Sequence, residues 1–510
     1  GSDAARCPMR RRRAWLGVGK GSVGTRRLAA RGSPRKSGKG ALACPLLLAF
    51  GRGAWAYDAR QRTLSARLYG NVNAYAYYYV DLLVGTPPQR VSAIIDTGST
   101  VVAFSCAGCR HCGVHMDPKF DFAKSSTATW SRCGPGCEGS CKNSRCSYWQ
   151  TYTEGSSISG YFFEDVVQLG DALQRNPRFR ARLGCLFNEN NLFYTQQANG
   201  ILGIAPRGDT LFKGFFGDTD HVNRSVFSFC LAEWGGALMV GGYDSSYHVG
   251  SITYVALDVS SGYYGVKLSA MRVAGRTLDV QPGRGILDTG TTYTYLPSAA
   301  YRALRSAIED YCERGACNAT LDGTCWTLLG ARSEAGPQLD LFPSVEVVFH
   351  DAAVQWAPAG YLSRAEDTPT WCYSFEDDGP HSDTVLGASF MLHKQVIFEV
   401  LAGRVGMAPA SCPEFRTRPG YERPPAIHPA ATSGIDDTHG YFARHELAGH
   451  VSRQPLTAIG SGATLLGAFL LATRMCWHRG QHCCGFGKAV DFVSGAKSSG
   501  PDAARCSVQR

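Results

Sequence analysis

Two acids in this sequence sit in the same local frame. Ser92-Ala-Ile-Ile-Asp-Thr-Gly-Ser-Thr100 and Gly285-Ile-Leu-Asp-Thr-Gly-Thr-Thr292 each run from a short apolar stretch into an acid and a tight Thr-Gly turn. An apolar run of that length bounded by turn residues reads as a buried strand. The repeat therefore delivers Asp96 and Asp288 to one centre. Two carboxyls sharing a buried site cannot both ionise cheaply, so one keeps a proton while the other stays charged. An acid and a base side by side suit hydrolysis of a peptide amide by water, with no covalent intermediate and no metal or cofactor.

The neighbours of each acid repeat as well. Ser99 and Thr291 lie three residues on, where a hydroxyl reaches the outer carboxylate oxygen. Thr97 and Thr289 are placed to cross-link the two turns, and Gly98 and Gly290 let backbone N–H groups approach the carboxylates. Each copy is followed later by an apolar-apolar-Gly strand, Ile201-Leu-Gly203 and Val385-Leu-Gly387. A single Asp-Thr-Gly occurs by chance; a duplicated unit of this length does not.

The elements that must position these acids read mainly as strands. Tyr75 to Gly85 is a strand run ending in the turn Thr86-Pro-Pro-Gln89, which leads into the strand carrying Asp96. Only about eighteen residues separate it from the end of the leader, room for no more than a short propeptide. Tyr148 to Ser156 followed by Ser159 to Leu169 alternates about a Gly-Ser tip, as a hairpin does. Behind Asp288, Ala299 to Cys312 has the spacing of a short amphipathic helix. The expected fold class is all-β (mainly β), built as two lobes.

At 510 residues the chain is long enough for several domains. Its net charge of +10 resides in the ends: residues 57–454 carry 33 Lys and Arg against 39 Asp and Glu. A basic nucleic-acid surface on the body is thereby excluded. Fourteen of the 20 cysteines fall between Cys106 and Cys412, enough for seven disulfides in an oxidising compartment, with connectivity left open. A zinc site at Cys106, Cys109 and Cys112 is the alternative, and it would need His111 or His115 as a fourth ligand.

Residues 1–56 read as a basic leader and signal peptide, with cleavage after Ala56. The lobes are assigned to 57–247 and 248–412, a flexible stalk to 413–454, a transmembrane helix to 455–474 and a cytosolic tail to 475–510. Leu456 to Thr473 is free of charge and just long enough to span a bilayer core. Asn223-Arg-Ser225 and Asn318-Ala-Thr320 are N-glycosylation sequons.

The run Leu83-Val-Gly-Thr-Pro-Pro-Gln89 followed by Ile95-Asp-Thr-Gly-Ser-Thr100 resembles the pepsin family of aspartic proteases. Cys106-x2-Cys-x2-Cys-Gly-Val-His-Met116 narrows the likeness to a plasmepsin V-like subgroup of apicomplexan secretory-pathway proteases. The resemblance covers about Tyr75 to Cys412. It implies a bilobal pepsin fold with a pseudo-twofold axis, a Cys-rich loop insert and a flap hairpin whose tyrosine is Tyr152.

The resemblance also implies that Glu154, at the flap tip, and Gln197, adjacent to Gln196, bind an arginine of the substrate. It further implies cleavage after an Arg-x-Leu motif in exported proteins, in the endoplasmic reticulum or Golgi, by a monomer anchored through one C-terminal helix. Two departures from the ordinary pepsin pattern stand out. Ala103, followed by Phe104, takes the place of a tryptophan seven residues after the first acid. Thr153 stands where relatives can carry an unpaired cysteine. A general-specificity membrane-anchored sheddase and a non-catalytic pepsin-fold binding protein are the competing readings.

Overall fold

A computed structural model describes residues 57–419, apart from residues 138, 209–210, 330–335, 351 and 366–367. The leader, most of the stalk, the expected membrane helix and the tail lie outside the described residues. Among those described, no helix is long and apolar enough to cross a membrane.

The fold is mainly β, in a large 15-stranded sheet, an 8-stranded sheet and a 4-stranded sheet. The duplication seen in the sequence reappears as topology. Strand Gln89–Asp96 runs antiparallel to Tyr77–Val84 and parallel to Gly200–Gly203, which turns back along Val102–Ser105. In the second lobe Arg284–Leu287 runs antiparallel to Gly265–Val273 and parallel to Thr384–Leu386, which pairs in turn with Thr294–Leu296. A parallel neighbour covers the catalytic strand's edge, so both strands turn apolar and buried towards their acid ends.

The lobes share a sheet. Strand Phe227–Leu231 pairs on one edge with Gly236–Val240 and on the other with Lys394–Glu399, whose next neighbour is Arg404–Pro409. The disulfide Cys230–Cys412 closes this junction across 182 residues. Residues 57–74 are part of the same body: Leu64–Asn71 is a buried strand between Tyr77–Val84 and Gly236–Val240. A single apolar cluster runs through both lobes, from Leu64 to Met407.

All fourteen cysteines of the body are paired. Cys106–Cys185 and Cys109–Cys112 staple the start of the insert, so the sulfurs that a zinc ion would need are already bonded. Cys133–Cys141 and Cys137–Cys146 cross-link the loop leading to the flap. Cys312–Cys317 and Cys325–Cys372 lie in the second lobe. The helix behind Asp288 spans Ser298–Tyr311 and buries Ala300, Leu304 and Ile308, one turn apart, against the lobe core. Both sequon asparagines, Asn223 and Asn318, are exposed.

Residues 413–419, the first part of the stretch read as stalk, are docked. Phe415 stacks edge-on against Tyr69, and the Arg418 side chain is buried.

Lys394, at the start of the inter-lobe strand, is 5% exposed and donates from Nζ to the carbonyls of Phe390 (2.8 Å) and Leu392 (3.4 Å). Burial brings its pKa down from 10.5 to about 7. The unfolded chain holds this proton up to pH 10.5 whereas the folded chain releases it near 7, so the group's contribution is lost as pH falls through that window. Lys394→Met is expected to raise Tm at pH 7 and below, with the gain shrinking towards pH 10. Thermal melts of both proteins across pH 5–10 check this; an equal Tm at every pH contradicts it.

Candidate active site

Asp96 and Asp288 end their strands fully buried at the centre of the body. Each carboxylate is held from its own loop in the same way. Gly98 N–H donates to Asp96 Oδ1 (2.8 Å), and the Ser99 hydroxyl donates to Asp96 Oδ2. Gly290 N–H donates to Asp288 Oδ1 (3.0 Å), and Thr291 Oγ1 donates to Asp288 Oδ2 (2.6 Å).

The two turns are locked to each other by their threonines. Thr97 Oγ1 donates to Leu287 O (2.8 Å) and accepts from Thr289 N–H (2.9 Å). Thr289 Oγ1 donates to Ile95 O (2.9 Å) and accepts from Thr97 N–H (3.1 Å). Each hydroxyl thus bonds the carbonyl just before the opposite acid and the amide just after it. The braces beneath are also paired: Ile204 N–H donates to Asp96 O (2.8 Å), and Asp288 N–H donates to Leu386 O (3.0 Å).

The glycines have a second task that their spacing did not reveal. A Cβ on Gly98 would lie 2.8 Å from Asp288 Oδ1, and one on Gly290 would press still closer on Asp96 Oδ1. Each glycine therefore leaves room for the carboxylate of the other lobe.

Burial first, and then the charge of Asp96, push the Asp288 carboxyl well above the usual carboxylate range. The Thr291 hydroxyl and the Gly290 amide oppose this only in part. The pair therefore holds a proton at pH values where an isolated aspartate has lost it. That arrangement can polarise a carbonyl from one side and deprotonate a water from the other.

The family profile of the eukaryotic aspartyl proteases matches residues 77–410, from the strand before Asp96 to the last strand of the inter-lobe sheet. The chain belongs to that family. Its relatives include Aspartic protease 5 of Toxoplasma gondii, 38% identical over 383 residues that cover 70% of this chain. The chain spans only 38% of the length of that protein. Plasmepsin V of Plasmodium falciparum is 25% identical over 451 residues, covering 69% of this chain and 74% of the relative. ASPARTIC PROTEASE IN GUARD CELL 2 of Arabidopsis thaliana is 28% identical over 357 residues, covering 66% and 72%.

Above the dyad of this protease-family chain lies a hairpin of Arg145–Thr151 and Ser157–Leu169, in register at Thr151 and Ser157. Its tip is closed by Tyr152 N–H to Ser156 O (2.8 Å), with Gly155 at φ +89°. Tyr152 is only 2% exposed, with its ring against Phe193 at 4.8 Å between centroids. Burial and the nearby Asp96 raise its phenol pKa, while a hydrogen bond with Ser99 lowers it. The Tyr152 side chain thus sits beside the first carboxylate and its Ser99 partner.

Ala103 now has a physical account. Tyr148, from the first flap strand, packs over it, and a Cβ on Gly184 would meet the Tyr148 hydroxyl at 2.6 Å and the Ala103 methyl at 2.8 Å. A tyrosine from the flap thus fills the wall above a small residue.

Glu154 is half-buried at the tip. The tip is tied to the segment after the long strand Arg178–Glu189: Asn191 Nδ2 donates to Gly155 O (2.9 Å), and Leu192 N–H donates to Ser156 Oγ (3.2 Å). That segment continues to the two glutamines. Gln196 is buried, and its Nε2 donates to Ala198 O (3.2 Å). Gln197 is the more open of the two, its backbone fixed between Tyr77 Oη (3.0 Å) and Met116 N–H (2.7 Å).

The insert holds this wall from behind. His115 Nδ1 lies 3.0 Å from Gln196 O and Nε2 lies 3.0 Å from Glu189 Oε2, both side chains buried. Among the described residues no His, Cys, Asp and Glu cluster has the makings of a metal site. Sequence reasoning missed Phe193, Glu189 and the structural part of His115, because their partners lie about eighty residues away or on unrelated strands.

Since Asp288 has its pKa raised, the folded chain binds this proton more tightly than the unfolded chain. The stabilisation is complete below the ordinary carboxyl value of 3.8 and is lost as pH rises through the folded value. Asp288→Asn is expected to melt with wild type near pH 3.5 and progressively above it towards pH 8, while proteolysis falls about 10²- to 10⁴-fold. Paired Tm and rate measurements across that range test it; a Tm difference independent of pH would count against the assignment.

Proposed function

We propose that the chain is an aspartic endopeptidase with Asp96 and Asp288 as its catalytic dyad. The observation carrying this reading is the reciprocal threonine lock, which holds two buried carboxyls together, with the proton affinity of Asp288 raised by burial and by Asp96. In the proposed cycle Asp96 removes a proton from water while Asp288 donates its own to the carbonyl oxygen as the hydroxide adds to carbon. The tetrahedral intermediate then collapses: the C–N bond breaks, the nitrogen takes the proton held by Asp96, and the oxygen returns its proton to Asp288. No covalent enzyme intermediate forms, and water is consumed. Thr97, Gly98, Ser99, Thr289, Gly290 and Thr291 hold the carboxyls in place, and Tyr152 closes the flap over the substrate.

The proposed substrates are secretory or exported proteins carrying an Arg-x-Leu motif. Support comes from an acid at the flap tip, Glu154, on a hairpin tied to the segment that runs on to Gln197; a carboxylate and an amide together would offer charge and hydrogen bonds to a guanidinium. The relatives named Aspartic protease 5 and Plasmepsin V share the matched region. A body with seven disulfides fits an oxidising lumen, in the endoplasmic reticulum or Golgi. The leader (1–56), lobes (57–247 and 248–412), stalk, membrane helix (455–474) and cytosolic tail are proposed as read from the sequence.

Purified 57–454 is expected to cleave an Arg-x-Leu peptide and to process a Lys-x-Leu analogue more slowly, because an ammonium cannot use both acceptors in a planar fork. Asp96→Ala abolishes both activities. Glu154→Gln lowers kcat/KM for the Arg peptide by about tenfold, the size of one charged hydrogen bond. Cleavage that survives Asp96→Ala sinks the dyad; equal rates on both peptides sink the arginine assignment.

A further inference from the structure

The strap of residues 413–419 and the arginine-facing wall of the cleft meet in a buried ionic cluster. Arg418 Nε donates to Asp81 Oδ1 (2.7 Å) and Arg418 Nη2 donates to Asp117 Oδ2 (2.7 Å), with all three side chains at most 2% exposed. Arg90 closes the cluster from the other side, donating from Nε to Asp117 Oδ1 (3.1 Å) and from Nη1 to the Pro419 carbonyl (2.8 Å). Burial raises the Asp81 carboxyl and the Arg418 charge counters it.

Asp117 is the last residue of a short run, 115–117, whose members bond Gln196, Gln197 and Asn199 in turn. His115 Nδ1 meets Gln196 O, and Met116 N–H donates to Gln197 O. Asp117 N–H donates to Asn199 Oδ1 (3.1 Å), while Asn199 Nδ2 returns a bond to Asp117 O (2.9 Å). Asn199 also bonds Ser92 on the catalytic strand, accepting from its hydroxyl at 2.8 Å. The strap itself is seated by Phe415 on Tyr69, beside a cavity of ≈ 130 Å³ lined by Tyr69, Tyr75, Tyr79 and Trp234.

We propose that Arg418 is a positioning residue for substrate selection: by clamping Asp117 it fixes the 196–199 wall, and hence Gln197, at the distance from Glu154 that an arginine side chain requires. The inference rests on the arginine reading proposed above. A bidentate guanidinium between two carboxylates of different segments has one stable geometry, which an aliphatic side chain lacks. Loss of the clamp removes no bond of the dyad or of its threonine lock and acts first on the wall.

The test compares kcat and KM for an Arg-x-Leu peptide and its Ala-x-Leu analogue, per active site titrated with a tight transition-state-analogue inhibitor. The proteins are wild type, Arg418→Met, Arg418→Lys, and Arg418→Met combined with Asp81→Asn. The last variant removes the carboxylate that the first leaves buried and unpaired. Expected is a discrimination ratio at least about tenfold lower in both Met variants, carried by KM for the Arg peptide, with kcat on the Ala peptide unchanged and Arg418→Lys intermediate. A wild-type ratio near one overturns the arginine reading and this inference with it. A large wild-type ratio that the folded Met variants keep overturns this inference alone. Failure of both Met variants to fold makes Arg418 a stability element and likewise refutes the positioning role.

Discussion

Two carboxyls buried against each other are the interaction on which the rest of this structure depends. Left to themselves they would separate or draw in water, since like charges and desolvation both oppose the arrangement. The chain resists by making each turn's threonine satisfy the other turn's backbone, so that the carboxyls cannot part without breaking four hydrogen bonds across the lobes. The repulsion that remains is relieved by retaining a proton, and that retained proton is the chemical asset. Glycine on each side is the steric condition, because any larger residue would occupy the space of the opposing oxygen.

A second constraint is layered on the first. The flap must be mobile enough to admit a peptide, yet the residues beside it have to stay fixed if they are to read a side chain. The chain separates the two demands. Tyr152 and Glu154 ride on a two-stranded hairpin, whereas Gln196 to Asn199 are stitched to the disulfide-bonded insert, to Tyr77 and to the catalytic strand. The insert that looked like a stapled surface loop is thus the back support of the cleft, and its histidine serves as a strut rather than as a ligand.

What was legible in the sequence was what is written locally. The duplicated Asp-Thr-Gly turns, the apolar-apolar-Gly braces, the flap register at Tyr152 and the helix behind Asp288 all declare themselves within a dozen residues, and together they give the bilobal β architecture. Disulfide connectivity was not legible, because pairing depends on which strands become neighbours. Leu64–Asn71 was not legible as a strand, since one strand with mixed residues carries no sign that a sheet has a place for it. Arg418 was hidden in the same way: an arginine in a Pro-rich stretch looks solvated until a partner 337 residues earlier turns up beside it. The second task of Gly98 and Gly290 belonged to the opposite lobe and had no local mark.

The position of that ion pair also says something about time. Asp81 lies near the start of the body and waits for a partner 337 residues later, and Cys230 waits a further 182 residues for Cys412. At a synthesis rate of about 5–20 residues per second Asp81 therefore emerges roughly 15 to 70 seconds before its last clamp exists. From its own synthesis until Lys394–Glu399 follows, Phe227–Leu231 presents an unpaired strand edge, and until Cys412 follows Cys230 is a thiol among other thiols. A nascent chain in this condition is a client for holding factors and disulfide isomerases, so the architecture that shapes the finished cleft also ties its birth to a folding compartment that supplies them.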